Sequence, residues 1–431
     1  MIKINIIGGG LAGCEAANFL ANHSIKVKLY EMRPLKNTGA HHTDFLGELV
    51  CSNSLKSKSL DNACGLLKEE IKNLDSIIIE SALKNEVPSG NALSVDRDNF
   101  AKYITDKIKN NKNIEIINQE IENFNEDEIY LICTGPLTSD KLVNKIKEIT
   151  KQDNLFFFDA SAPLILKDSI NMDTAYKKAR YDQGDDSYIN CPFTKEEYLN
   201  FYNELINAKL AMVHNFDKNY FEGCMPIEVL AKRGIDTLRY GPLKPKGLET
   251  EKYPKPYAVV QLRQDNLLGD LYNLVGFQTN LTYGEQKRVF SMIPGLENAE
   301  FVRYGLMHRN TYINSPVLLN EDLSLKTNSN LIFAGQLAGV EGYVESAACG
   351  LYAAIKLYQK INNIDLAFPK NTMLYSLIFY ITNGNGKNFS PMNANFGIMY
   401  GVNKKNKLEK ANESINSIIE FKKELNLWKM N

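Results

Sequence analysis

The sequence predicts an α/β protein: a doubly wound, Rossmann-like nucleotide-binding domain interrupted by an inserted α+β domain. Three observations carry this. The chain opens on a strand, a glycine-rich turn, a helix and a second strand that ends in an acid. From about Asp173 that rhythm stops and the chain turns polar and aromatic, as in YKKARYDQGDDSYINCPF and the Pro/Gly-rich GPLKPKGLETEKYPKPYAVVQLRQD. Strand-and-helix patterning returns at 330–358, NLIFAGQLAGVEGYVESAACGLYAAIKLY. We therefore expect 1–175 and 320–431 to be two parts of one domain, with 176–319 inserted between them.

The elements follow in order. Residues 2–7 (IKINII) read as a buried parallel strand, GGGLAG as the turn, CEAANFLANH as the helix, and 25–30 (IKVKLY) as the second strand, ending at Glu31. A helix is expected over 65–84. EIYLICTGP (128–136) reads as a strand broken at Gly135-Pro136, LFFFDAS (155–161) as another strand, and 194–209 as a helix. The segment 407–427 reads as an amphipathic helix with Leu408, Ala411, Ile415, Ile418 and Ile419 on one side.

Composition narrows the function. With 431 residues the chain has room for two or three domains. Its net charge of −1 gives no overall pull on nucleic acid, so any such binding needs a local basic patch. The opening residues lack the charged and apolar regions of a secretory signal, and MLYSLIFYIT (373–382) is too short to span a bilayer. Seven scattered cysteines without a CxxC pair argue against a disulfide framework or a zinc site. Adjacent His41 and His42 point apart in any regular structure, so no metal is expected. A reducing, cytoplasmic setting fits these features.

Gly8, Gly10 and Gly13 form GxGxxG between strand and helix. The first makes the tight turn, the second lets backbone approach a pyrophosphate, and the third lets helix pack on strand. Leu11 and Ala12 belong to the same turn, and the diphosphate would sit on the helix N-terminus. Glu31 has the spacing of an acid that binds ribose hydroxyls. The late loop around Gly335, Gln336 and Gly339 selects FAD over a bound nicotinamide cofactor, because its glycines would let backbone reach the ribityl chain and flavin. NADH or NADPH would then visit only to reduce the flavin.

Two thiols stand out. Cys224 lies in FEGCMPIEVLAKRG (221–234), just before Pro226 and a short helix with Ile227, Leu230 and Ala231 on one face and Gly234 as its stop. The helix dipole there, with Lys232 and Arg233 nearby, favours thiolate. Cys51 lies between a strand-like ELV and the turn formers SNS, near the cofactor end of the sheet. Cys64, at a helix start, reads as structural.

The motifs YEMRP, HHTD, ELVCSNSL, GLLKEE, VPSGNALSVDR, FEGCMPIEVLAKRGIDTLRYGPLKP, HRNTYINSP, AGQLAGVEGYVESAA and PMNANFG together closely resemble the folate- and FAD-dependent tRNA (uracil-5-)-methyltransferase family, TrmFO, from residue 4 to about 400. The resemblance implies that methylenetetrahydrofolate supplies a carbon, that reduced flavin carries it, and that uridine C5 in RNA receives it. It implies Cys224 as the nucleophile at uracil C6 and Cys51 as the second thiol, acting as base. It places Arg33 and Tyr343 with the cofactor, and His308, Arg309 and Asn310, beside Tyr343, at the folate pocket. RNA would meet the inserted domain around Lys232, Arg233, Arg239, Lys244 and Lys246, with Tyr240 and Tyr253 available to stack a base. The target is tRNA by the family's name, and ribosomal RNA is the alternative. The rival readings are a flavoprotein thiol oxidoreductase and a flavin-bound RNA-binding scaffold without turnover.

Overall fold

The computed structural model describes residues 3–125, 127–153, 155–182, 186–211 and 225–427, with side chains at all of these except 157–159, 308, 309 and 388. Two six-stranded sheets organise it. In the first, β1 (Lys3–Ile7) is flanked by β2 (Lys26–Glu31) and by Tyr130–Ile132. Ile114–Asn118 lies beyond β2. On the other side come Asn328–Phe333 and then Ser324–Leu325 at the edge. Every pairing is parallel except that of the Ser324–Leu325 edge strand. The last strand of this sheet therefore comes from the late part of the chain, as the returning pattern at 330 predicts.

α1 (Leu11–Asn22) and the helix Tyr343–Ile361 cover one face together. They approach so closely that a Cβ on Gly350 would lie 2.2 Å from the Ala12 carbonyl oxygen. Small residues at this crossing let the late helix pack directly on the dinucleotide-type turn.

The second sheet is antiparallel throughout, in the order Tyr176–Lys177, Ile189–Phe193, Ala258–Gln264, Leu271–Leu274, Leu164–Leu166, Phe301–Arg303. It has its own apolar core, in which Phe193, Phe201, Phe277 and Phe290 are fully or almost fully buried. This sheet already takes in Leu164–Leu166, ahead of the change in composition near Asp173. Leu155–Ala160 joins neither large sheet. It pairs with Met307–Tyr312 in a two-stranded antiparallel ladder, so the outgoing and returning chains run side by side between the two cores.

Two expectations are corrected. The stretch 65–84 is not one helix but two, Ala63–Asn73 and Ile77–Lys84. Asp75 takes a left-handed conformation (φ 61°), and Ser76 caps the second helix by accepting the Ile79 N–H at 3.1 Å. The C-terminal helix Lys407–Leu427 buries Ala411, Ser414, Ile418, Phe421 and Leu425, while Leu408 is exposed and Ile415 and Ile419 are only half-buried. Its face is turned by a polar anchor: buried Glu70 accepts the Ser414 hydroxyl and also the Met373 and Leu374 N–H groups at 2.7 and 2.8 Å. No helix among the described residues is long and apolar enough to cross a membrane.

Candidate active site

A cleft runs from the Gly8–Gly10 turn to Gly335, Gln336 and Tyr343. Leu11, Ala12, Glu31, Arg33 and Val50 also line it. Gly8 has φ 103°, and a Cβ there would lie 2.5 Å from the Cys133 carbonyl oxygen. A Cβ on Gly13 would meet the Gly8 carbonyl oxygen at 1.9 Å, so Gly13 serves helix packing behind the turn. A Cβ on Gly10, in contrast, would meet no atom within 4 Å, because this residue faces the open cleft. Gly339 does not line the cleft. Its Cβ would clash with the Phe389 ring at 2.4 Å, which accounts for glycine there.

Glu31 ends β2 with its carboxylate turned back to the turn, accepting the Gly9 N–H at 2.9 Å. Burial alone would raise its pKa, but the Arg33 guanidinium beside it holds it below the ordinary carboxylate value. Arg33 is almost wholly buried and bridges Glu31 (3.1 Å) and Glu48 (3.0 Å). Glu48 in turn accepts the His42 and Thr43 N–H groups. Arg33 thus fastens the 38–48 loop over the cleft, and its guanidinium is committed to protein partners. His41 lines the same cleft with Nδ1 2.6 Å from the Thr38 hydroxyl, and burial, then Arg33, pushes it down to about 4.

Cys51 follows Val50 at the far end. ELV is not a strand, and the chain first becomes extended at Ser54–Ser57. Irregular backbone here is held by side chains instead. The Tyr343 hydroxyl oxygen accepts the Cys51 and Ser52 N–H groups at 2.7 and 3.0 Å. Arg97 donates to the carbonyls of Leu49 (3.1 Å) and Cys51 (3.2 Å), and Arg303 donates to the Cys51 carbonyl at 3.4 Å. The Cys51 thiol lies 3.6 Å from the Ala160 carbonyl oxygen. Burial, then the nearby thiol, pushes the Tyr343 phenol up, so it stays protonated.

Asp265, just past the strand Ala258–Gln264, grips Arg97 through two contacts of 3.0 Å. Arg263 donates to Ser52 Oγ (2.7 Å) and Asn53 Oδ1 (3.2 Å). The second sheet therefore reaches the Cys51 loop through Arg263 and Arg303. Sequence reading missed Arg263, Asp265 and Arg303. Arg97 stood within the quoted VPSGNALSVDR but carried no assigned role, and no local pattern links these four positions.

Among the six described cysteines Cys51 alone is partly exposed. Cys14, Cys64, Cys133, Cys191 and Cys349 are buried. Burial pushes Cys64 up to about 11 and Cys349 to about 12 and raises the other three as well, which leaves these thiols inert at neutral pH. Cys224 lies outside the described residues. The helix after it, Ile227–Ala231, is apolar and acidic, with Pro226 as N-cap, and the basic Lys232 and Arg233 stand exposed at its other end. It is pinned by Glu228, which accepts from Thr279 (2.9 Å) and the Asn280 N–H (2.8 Å).

Lys244, Lys246 and Tyr240 are exposed nearby. Arg239 lies 3.6 Å over the Tyr257 ring and pairs with Asp236. Tyr253 stacks on Tyr176 at 5.6 Å. His308 and Arg309 lie on the strand Met307–Tyr312, with side chains outside the description, and Asn310 is buried.

Comparison with known proteins gives four findings. The sequence matches the family described as "Glucose inhibited division protein A" over residues 3–365. It is 55% identical over 425 residues to a Staphylococcus epidermidis protein named methylenetetrahydrofolate–tRNA-(uracil-5-)-methyltransferase TrmFO, covering 97% of this chain and 98% of that one. A Ligilactobacillus salivarius protein of the same name is 56% identical over 400 residues, 92% of each chain. Among solved structures, Aquifex aeolicus GidA superposes with a TM-score of 0.73 at 16% identity, over 99% of this chain and 74% of that one, a likeness of fold.

Proposed function

This chain belongs to the methylenetetrahydrofolate–tRNA-(uracil-5-)-methyltransferase family, TrmFO, and from that premise we propose how its residues divide the chemistry. It is a folate- and FAD-dependent tRNA uracil-5-methyltransferase. The product assigned to it is 5-methyluridine in the T-loop, with NADH or NADPH as reductant.

The cleft suits FAD: bare backbone at Gly10, a left-handed Gly8, and an acid at the end of β2. Gly8, Gly10, Leu11 and Ala12 would hold the diphosphate, Glu31 the ribose, and Gly335, Gln336 and Tyr343 the flavin end. FAD, when bound, supplies electrons and carries the one-carbon unit from methylenetetrahydrofolate. His308 and Arg309 are assigned to the folate side.

Uracil C5 is a weak nucleophile. A thiolate added at C6 makes C5 enolate-like and able to bond to the donated carbon; a base then takes the C5 proton, and elimination of the thiolate from C6 restores the ring. We assign addition to Cys224 and proton abstraction to Cys51. The observation that supports the second assignment is the setting of Cys51: at the end of the dinucleotide cleft, partly exposed, with its backbone gripped by Tyr343, Arg97 and Arg303. Once protonated, its S–H finds an acceptor in the Ala160 carbonyl. Lys232, Arg233 and Lys244 are assigned to RNA phosphates, and Arg239 to the same surface through its stack on Tyr257. The uridine must leave its stack to expose C6.

The test supplies isotope-labelled methylenetetrahydrofolate, NADH or NADPH, and unmodified tRNA or ribosomal RNA to the purified protein. Label in tRNA as 5-methyluridine is expected. Label only in ribosomal RNA moves the target; nicotinamide oxidation with no label in either RNA favours a thiol oxidoreductase.

A further inference from the structure

We propose that Arg303 is a catalytic residue of this reaction, holding O4 of the target uracil and stabilising the negative charge placed there when a nucleophile adds to C6. The inference rests on the uracil-methylation reading.

Three guanidinium groups converge behind Cys51, and among the described residues one carboxylate answers them. Arg97 takes that carboxylate, Asp265, through two hydrogen bonds. Arg263 turns its donors to the neutral oxygens of Ser52 and Asn53. Arg303, at the end of the strand Phe301–Arg303, makes one long bond to the Cys51 carbonyl. Its Nε is buried with no hydrogen-bond partner among the described residues. Burial, and then Arg97, pushes this guanidinium down to about 10. A desolvated cation left so incompletely answered is unfavourable until an anion completes it.

The reaction supplies that anion at the right place. When a nucleophile bonds to C6, the C5=C6 electron pair shifts into C5=C4 and the C4=O4 pair moves onto O4. No proton moves, and one negative charge passes from nucleophile to O4. It leaves O4 when C5 bonds to an electrophile, the donated carbon or a proton, and C4=O4 reforms. O4 is two bonds from C5, whose proton is assigned to Cys51. A donor resting against the Cys51 backbone is therefore placed for O4. Donors fixed where charge develops give the largest stabilisation of this kind. Arg97 and Arg263 are already engaged, which leaves Arg303.

The test follows hydrogen release from C5 of tRNA carrying tritium at uridine C5, with the oxidised holoenzyme alone and in the complete reaction. Arg303→Met is expected to slow release by about 100-fold or more in both, with tRNA Kd and flavin content unchanged. Arg303→Lys, which keeps the charge without the fork, recovers part of the rate and carries the test if the Met variant loses its flavin. Release at the wild-type rate in either variant overturns the assignment, as does a loss explained entirely by weaker RNA binding, which would make Arg303 a phosphate contact. If wild-type protein releases no C5 hydrogen even in the complete reaction, it is the methylation reading that fails.

Discussion

The hydroxyl of Tyr343 accepts the backbone N–H of Cys51 at 2.7 Å across 292 positions of sequence. The first residue of the late helix Tyr343–Ile361 thereby sets the position of a thiol that follows the opening βαβ unit. The tyrosine lines the cleft and fixes the cysteine at its end, so the cleft wall and the placement of the thiol share one side chain.

Tyr343→Phe leaves the Cys51 and Ser52 N–H groups without this acceptor. The expected loss is about 1–3 kcal/mol in urea unfolding, with faster alkylation of Cys51 as its loop loosens. Unchanged stability and alkylation rate would contradict the clamp.

Asp265→Asn leaves the Arg97 guanidinium buried against a neutral partner, since the two side chains are 10% and 4% exposed. A loss of about 3–5 kcal/mol is expected, and the double variant Arg97→Met/Asp265→Leu should recover much of it. Denaturant midpoints of the wild type and the two variants decide this.

Gly10 and Gly13 separate ligand contact from packing. Gly13→Ala forces a Cβ onto the Gly8 carbonyl and should lower Tm with or without FAD. Gly10→Ala meets no protein atom within 4 Å, so the flavin-free protein should keep its Tm while FAD affinity falls at least tenfold. Calorimetry and flavin titration read the two effects independently.

Burial raises the Glu70 carboxyl from its ordinary 4.5 to about 7. The folded state then holds this proton in a pH range where the unfolded chain has lost it. Stability from this group therefore falls as pH rises from about 4.5 to 7, by on the order of 3 kcal/mol. Glu70→Gln should flatten that part of the stability profile. A slope unchanged by the substitution would show that Glu70 titrates normally.

The parts of this molecule that were legible in sequence are those with local rules. The turn at Gly8–Gly13 and Glu31 at the end of β2 are fixed by spacing alone. The break between the helices Ala63–Asn73 and Ile77–Lys84 had a local signal too, in Asp75-Ser76, but the strong apolar run on either side masked it. The face of the last helix depends on Glu70 reaching Ser414, a contact across 344 positions that no periodicity reveals. The arginines around Cys51 come from positions 97, 263 and 303 and share no motif. Arg33, placed with the cofactor by the resemblance, lines the cleft, and its contacts to Glu31 and Glu48 came from no local pattern.

The most direct test of the central assignment compares wild-type protein with Cys51→Ala in carbon transfer from labelled methylenetetrahydrofolate to unmodified tRNA, with flavin content and tRNA binding measured on the same samples. Loss of transfer by about 100-fold or more, with both binding properties intact, is the predicted result. Transfer at the wild-type rate by the alanine variant would contradict it.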